Sequence, residues 1–333
     1  MRRIEIHLKG GDSFESVIRA VKHFDTIDYS IIHTKPGDRR LVSILMREGN
    51  SQELIDAIHS TLEGQRDWRL SVIAIEASLP KAESTDGEKD ARNTQAIREE
   101  ILQDIGKGAV FDRDFAIFVG LSTVVAAVGM NSGSVAGVIG AMVIAPLLGP
   151  ILAFAMGAAL GDSALLRQSG RTLISGIMIA LLCGLLLSFI VPVDLSSTEL
   201  TSRAEVRLDA VALALAAGAA AALSVAKGQG AGLVGVMVAA ALLPPGAAMG
   251  LLVGSGELEL GARACLLLAL NVACLILAAL LTFRLRKIQP RQWIEQKNAN
   301  AAVAINTAFW VACLIIVGAL ILYFDLGARV EFP

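Results

Sequence analysis

Five stretches of this chain contain no Asp, Glu, Lys, Arg or His at all: 115–161, 210–226, 228–256, 264–283 and 298–324. A sixth, 172–193, is likewise uncharged. A helix needs about 18 or more such residues to cross a bilayer. No soluble core would bury so much continuous apolar length. Composition agrees, with 54% hydrophobic residues and a mean hydropathy of +0.62, against about 45–50% apolar residues in ordinary soluble domains. The excess lies within residues 114–325, whereas 1–113 read as a soluble protein. The chain is therefore expected to be a polytopic α-helical membrane protein with a soluble domain at its N-terminus. The net charge of −2 points to no partner, and nothing indicates nucleic acid.

The N-terminal residues carry strand and helix periods in a definite order. Ile4, Ile6 and Leu8 alternate with Arg3, Glu5 and His7, the period of a strand with one buried face. Asp12 and Glu15 form a capping-box spacing ahead of Phe14, Val17, Ile18, Val21 and Phe24. Residues 27–33 read as a strand, and Pro36-Gly37-Asp38 turns into another at 41–46. Asn50 and Glu53 repeat the capping pair before Leu54, Ile55, Ile58 and Leu62, and 69–75 closes as a fourth strand. The order βαββαβ is that of an α+β, ferredoxin-like domain, a fold that by itself reveals no ligand. His7, His23, His33 and His59 are scattered over different elements and read as surface or boundary residues. The two arginines at 2 and 3 lead into a strand, so no signal peptide is expected.

The most informative membrane feature is internal. Residues 136–161 (AGVIGAMVIAPLLGPILAFAMGAALG) and 231–256 (AGLVGVMVAAALLPPGAAMGLLVGSG) agree at eleven of 26 positions without a gap. The shared positions include Gly140/Gly235, Met142/Met237, Leu147/Leu242, Leu148/Leu243 and Pro150/Pro245. Each copy lies between two further apolar segments, and one more segment follows alone, which makes seven. The expected domains are 1–79 ferredoxin-like, 80–93 polar linker, 94–112 amphipathic interfacial helix, 113–192 first membrane repeat and 193–207 outer loop. Then come 208–284 second repeat, 285–301 basic cytoplasmic loop, 302–324 last transmembrane helix and 325–333 outer tail.

Three crossings per copy place the second upside down relative to the first. With the N-terminus inside, the inner loops carry Arg167, Arg171, Lys227, Arg284, Arg286, Lys287, Arg291 and Lys297. The outer side carries Arg203, Arg207, Arg263 and Arg329. That excess follows the positive-inside rule, with the N-terminal domain cytoplasmic and the C-terminus outside.

Both repeated segments carry proline and small residues near their centres: Pro146, Gly149 and Pro150 in one, Pro244, Pro245 and Gly246 in the other. Proline removes a donor and clashes with the preceding turn, so a kink or break is expected in each. Freed backbone groups cannot face lipid and must meet protein or line a wet cavity. Interrupted helices at matching places in two inverted copies mark a substrate path near mid-depth, and small residues for close helix packing are the plainer account. The expected path residues are Asn131, Ser132, Gly140, Met142, Pro146, Gly149, Pro150, Gly235, Met237, Pro244, Pro245 and Asn271.

The string 131–151 (NSGSVAGVIGAMVIAPLLGPI) resembles the bacterial and archaeal membrane proteins grouped as domain of unknown function 389. ALLPPGAAMG at 241–250, with Asn271 in the next helix, resembles that family's second signature, so the likeness covers about 115–285. Membership implies a hydrophobic inner-membrane protein and supplies no substrate.

Asn131 and Ser132 are placed to cap the first repeated segment, and Asn271 to bond a carbonyl of a broken helix. Asn306 is expected at a helix interface, and Asp162 and Glu257 hold matching places just after the two repeats. No carboxylate, lysine or histidine lies deep in any segment, which argues against a buried proton relay. Cys183, Cys265, Cys274 and Cys313 sit in apolar segments as small hydrophobes, and neither metal nor cofactor is expected. There is no Walker motif, HExxH or GxSxG, so an enzyme is not expected. The sequence reads as a channel or secondary transporter for a small ion or polar solute, in contact with membrane lipids and forming a homo-oligomer. The alternative is a non-transporting membrane sensor or scaffold whose soluble domain binds a ligand.

Overall fold

The computed structural model describes residues 2–9, 11–24, 26–34, 39–46, 51–65, 67–75, 101–102, 105–106, 108–205, 208–228, 232–286, 288 and 293–328. The expected linker at 80–93, much of the 94–112 helix, the turn at 36–38, Asn50, Arg207, Lys287, Arg291 and Arg329 lie outside them. The chain divides into two compact units, Met1–Glu100 and Ile101–Pro333.

In the first unit the strands are β1 (Arg2–Lys9), β2 (Asp28–Thr34), β3 (Arg39–Met46) and β4 (Arg69–Ala74). Helices α1 (Asp12–His23) and α2 (Ser51–Thr61) follow β1 and β3. The sheet order is β2-β3-β1-β4, each neighbouring pair antiparallel. Register puts Ile4 opposite Ile44 and Val72, and Ile6 opposite Val42 and Leu70. Period-two alternation therefore gathers the aliphatic side chains on one face. Both helices cover that face with Phe14, Val17, Val21, Leu54, Ile55, Ile58 and Leu62. Each such fully buried side chain contributes about 1.5–3 kcal/mol. The α1 cap departs from the expected one. Gly11, at φ +125°, holds the N-cap position without a side-chain bond, and Asp12 is already helical.

The second unit is helical: α3 (Arg113–Asn131), α4 (Val135–Ile144), α5 (Leu148–Leu160), α6 (Ser163–Ser188), α7 (Thr198–Thr201), α8 (Leu208–Ala226), α9 (Gly232–Gly254), α10 (Leu258–Leu285) and α11 (Trp293–Ala328). Among the described residues six helices are long and apolar enough to cross a membrane, and up to seven if the bent pair α4–α5 is one span. The protein is a multi-pass helical membrane protein. The final helix begins at Trp293 rather than 302, so part of the expected basic loop is helical.

The repeat spacing holds well beyond the matched strings. Arg113 and Leu208 start α3 and α8 and stand 95 residues apart, as do Asn131 and Ala226 at their ends and Ser163 and Leu258 at the starts of α6 and α10. The turns repeat too. Gly133 (φ +66°) answers Gly228 (φ +64°), and Gly161 (φ +71°) answers Gly256 (φ +90°). A left-handed residue at a helix end is a glycine preference, so the same hinge chemistry closes corresponding helices in both copies.

Burial ranks the helices. The spans of α9 and α10 are each 72% buried, whereas that of α11 is 0% buried. The centre is held by a small-residue seam. Gly246, Gly250 and Gly254 on α9, at four-residue spacing, lie against Ala180, Gly184 and Ser188 on α6. A Cβ added at Gly184 would come within 2.5 Å of Ala247 O, and one at Gly250 would overlap Leu181 O. A second close approach sets Gly218 of α8 on Leu275 of α10. Backbone-to-backbone packing of this kind is how helices associate where lipid is as apolar as leucine.

Gly250→Ala should therefore destabilise the bundle by about 1–3 kcal/mol through overpacking. Gly140→Ala, whose added Cβ meets nothing within 4 Å, should cause no loss. Thermal unfolding of the purified full chain in detergent checks the pair, and equal midpoints would contradict a seam this tight.

Candidate functional site

The first repeated segment is open at its middle. After Ile144 the chain leaves the helix for Ala145-Pro146-Leu147 and re-enters it at Leu148, and α4 and α5 are bent by 53°. Pro146 cannot donate to the carbonyl four residues back, and its ring obstructs the preceding turn. The cap Ala145 N–H still reaches Ala141 O at 3.2 Å. The later carbonyls of α4 have no helical donor, and α5 starts on Leu147 without a side-chain cap. Pro150 is the third residue of α5, in the first turn, where a missing N–H costs no bond. It begins a helix rather than interrupting one. Gly149 abuts Gly108 so closely that a Cβ there would lie 2.7 Å from Gly108 Cα.

The second repeated segment departs from the expected break. α9 runs unbroken from Gly232 to Gly254 with Pro244 and Pro245 inside it. Two consecutive prolines leave the carbonyls of Ala240 and Ala241 without their i+4 donors. Asn271, mid-way along α10, supplies one of them from outside: its Nδ2 donates to Ala241 O at 2.8 Å. That bond, with Gly246 packed between Ala180 and Leu268, lets α9 stay continuous through the prolines. Asn271 is 5% exposed, and its Oδ1 accepts no hydrogen bond from any described residue. Neither α9 nor α10 carries a charged residue near this point, since 228–256 and 264–283 are both uncharged.

The structure gathers some of the expected path residues and scatters others. Pro244, Pro245 and Asn271 lie in the two most buried helices, which the Asn271–Ala241 bond joins. Gly235 lies beside Leu148 at the start of α5, about 9 Å along α9 from Ala241 by helical rise. Met142 is buried, whereas Met237 is exposed. Gly140 has open space beside it. Asn131 ends α3 and Ser132 is its C-cap, so neither caps α4. The cap is Ser134, whose Oγ accepts from Gly137 N–H at 3.2 Å. Asn131 instead secures the loop after α6, donating to Pro192 O at 3.0 Å and accepting from Asp194 N–H at 2.7 Å. Ser132 Oγ donates to Val128 O at 2.8 Å. Hydrogen bonds from Ser196 hold the Asp194 carboxyl below its ordinary range. Asp162 caps α6, accepting from Ala164 and Leu165 N–H, while Glu257 makes no such bond at α10. Asn306 is half-buried on α11.

The soluble unit has a separate feature, a cavity of about 400 Å³ lined by His7, Leu8, Arg39, Asp67, Trp68 and Arg69. Lys9 meets Asp67 there at 3.0 Å. That hydrogen bond and charge, with Arg39 further off, hold the Asp67 carboxyl below its ordinary range. Sequence reasoning missed this cavity, because its residues come from three different strands and a loop.

Residues 142–277 match the family described as Domain of unknown function (DUF389). That stretch is similar to the members of this family. It runs from the second half of α4 through the break, both proline-bearing segments and Asn271. The family read from the two signatures thus holds, over a shorter reach than 115–285, and Asn131 and Ser132 fall outside it. An uncharacterised protein of Methanocaldococcus jannaschii is 28% identical over 306 residues, covering 92% of this chain and 94% of that protein. No solved structure matches the chain.

The Asn271–Ala241 bond makes a coupled prediction. Asn271→Ala should cost about 0.6–1.7 kcal/mol, the range for hydrogen bonds between membrane helices. Pro245→Ala restores an N–H to Ala241 O, so in that background the cost of Asn271→Ala should shrink. A double-mutant cycle on thermal unfolding measures this, and strictly additive losses would contradict the pairing.

Proposed function

We propose that the protein is a channel or secondary transporter for a small ion or small polar solute, with its path at mid-depth beside the α4–α5 joint and the proline-bearing stretch of α9. One observation carries the reading. In α9 proline removes backbone donors at the centre of the span, and the polar group that answers from α10, Asn271, keeps an oxygen unmatched among the described residues. Polar atoms this deep are costly in an apolar layer and tend to mark paths. The 53° joint between α4 and α5 opens the corresponding part of the first copy.

In this reading the two three-helix sets are inverted repeats, each crossing three times, and the common 95-residue spacing supports a duplication. The excess of basic residues in alternate loops favours a cytoplasmic N-terminal unit in the inner membrane. The strand order β2-β3-β1-β4 with both helices on one face supports a ferredoxin-like domain that regulates or assembles the membrane part as a homo-oligomer. No enzymatic step is proposed, and no cofactor is assigned a role.

Flux into proteoliposomes of the full chain tests the path. Asn271→Leu and Pro245→Ala should each lower flux by about tenfold or more, the effect of losing one well-placed polar contact. Wild-type protein that folds and conducts none of a panel of ions and small metabolites would end the proposal.

A sensor or scaffold is the second reading, favoured by the basic cavity around Arg39 and Arg69. Deleting residues 1–93 separates the two. A transporter should retain flux with altered control, whereas a sensor should lose its response outright.

A further inference from the structure

The polar side-chain atom left unmatched at mid-depth in α9 and α10, among the described residues, is an acceptor. Pro244 and Pro245 take away two N–H groups, leaving the carbonyls of Ala240 and Ala241 without helical donors. Asn271 Nδ2 occupies Ala241 O, and that bond turns the rest of the amide into an additional acceptor. Its Oδ1, in a residue only 5% exposed, receives nothing from the described residues. Oxygen acceptors therefore outnumber donors around this bond, in stretches of α9 and α10 that carry no charge.

We infer that Asn271 Oδ1 and the proline-freed carbonyls of α9 form a binding site for a small monovalent cation, an inference that rests on the path proposed above. An anion finds no partner here. No Arg, Lys or His occurs in 228–256 or 264–283, and the remaining helical N–H groups belong to the α-helical ladder. A divalent cation gives up its water reluctantly and calls for carboxylates, of which these runs have none. A monovalent cation needs only neutral oxygens to replace part of its hydration shell, the role carbonyls take in selectivity filters and in interrupted transporter helices.

The repeat predicts one such site, not two. The residue 95 positions before Asn271 is Gly176, where an added Cβ would meet the Phe115 ring at 3.2 Å and Leu147 at 3.3 Å. The first copy thus sets apolar groups where the second sets an amide.

The test uses the full chain in detergent, with thermal unfolding followed in NaCl, KCl, NH4Cl or MgCl2 at constant ionic strength balanced by N-methylglucamine chloride. At least one monovalent cation should raise the midpoint saturably, and MgCl2 should not. Asn271→Leu should raise the half-saturating concentration about tenfold or abolish the response. Should that variant fail to fold, Pro245→Ala, which gives Ala241 O a helical donor, should weaken the response in the same direction. Superimposed wild-type curves in all salts, or a response unchanged in both variants, overturns the cation site. Asn271-dependent flux of an anion or uncharged solute also overturns it while leaving the path intact. A cation response lost in Asn271→Leu, with no flux of any solute, overturns the path and leaves the site standing.

Discussion

A carbonyl that loses its donor inside the hydrocarbon layer has no water to turn to, and in this bundle that requirement binds α9 to α10. Pro245 deprives Ala241 O of its partner, and Asn271 supplies another at 2.8 Å. Because the replacement comes from a different helix, the register of the two central spans is fixed at the point where both are most buried. The surrounding glycine and alanine contacts follow from the same need for close approach. Backbones must come near before a short side chain such as asparagine can bridge them.

The two copies of the repeat answer one problem in two ways. In the first, Pro146 meets no amide from its neighbour, since the corresponding place on α6 is Gly176 packed against Phe115 and Leu147. The backbone opens into a 53° joint. In the second, Asn271 meets the freed carbonyl and the helix continues. A single position, glycine in one copy and asparagine in the other, thus accompanies the difference between a jointed and a continuous segment.

Much of this was legible in the sequence, where one type of residue decides the outcome. Absence of charge marked the spans, because one buried charge costs more than any local preference can offset. Alternation at Ile4, Ile6 and Leu8 marked the strands, and the DUF389 signatures marked the repeated core. What escaped were features settled by partners distant in sequence. Proline at 244–245 signals interruption locally, and only the packing of Asn271 against it reverses the outcome. The seam of Gly246, Gly250 and Gly254 against Gly184 was not read, because it is defined by contact between two helices far apart in the chain. At helix ends the competition was between adjacent candidates: Gly11 displaced Asp12, and Ser134 displaced Asn131 and Ser132, because backbone angles at the turn select the cap. The start of α11 at Trp293 was hidden because charged residues are compatible with a helix that continues past the membrane.

The glycine stripe between α6 and α9 has a mechanical corollary. Carbonyls there sit where side chains would normally stand, so the two helices behave as one welded beam: sliding by even one residue would drive Ala, Leu or Met into space that only hydrogen occupies. Any large change of shape among the described membrane helices is thereby diverted to the articulated pair, the short rods α4 and α5 on either side of Pro146.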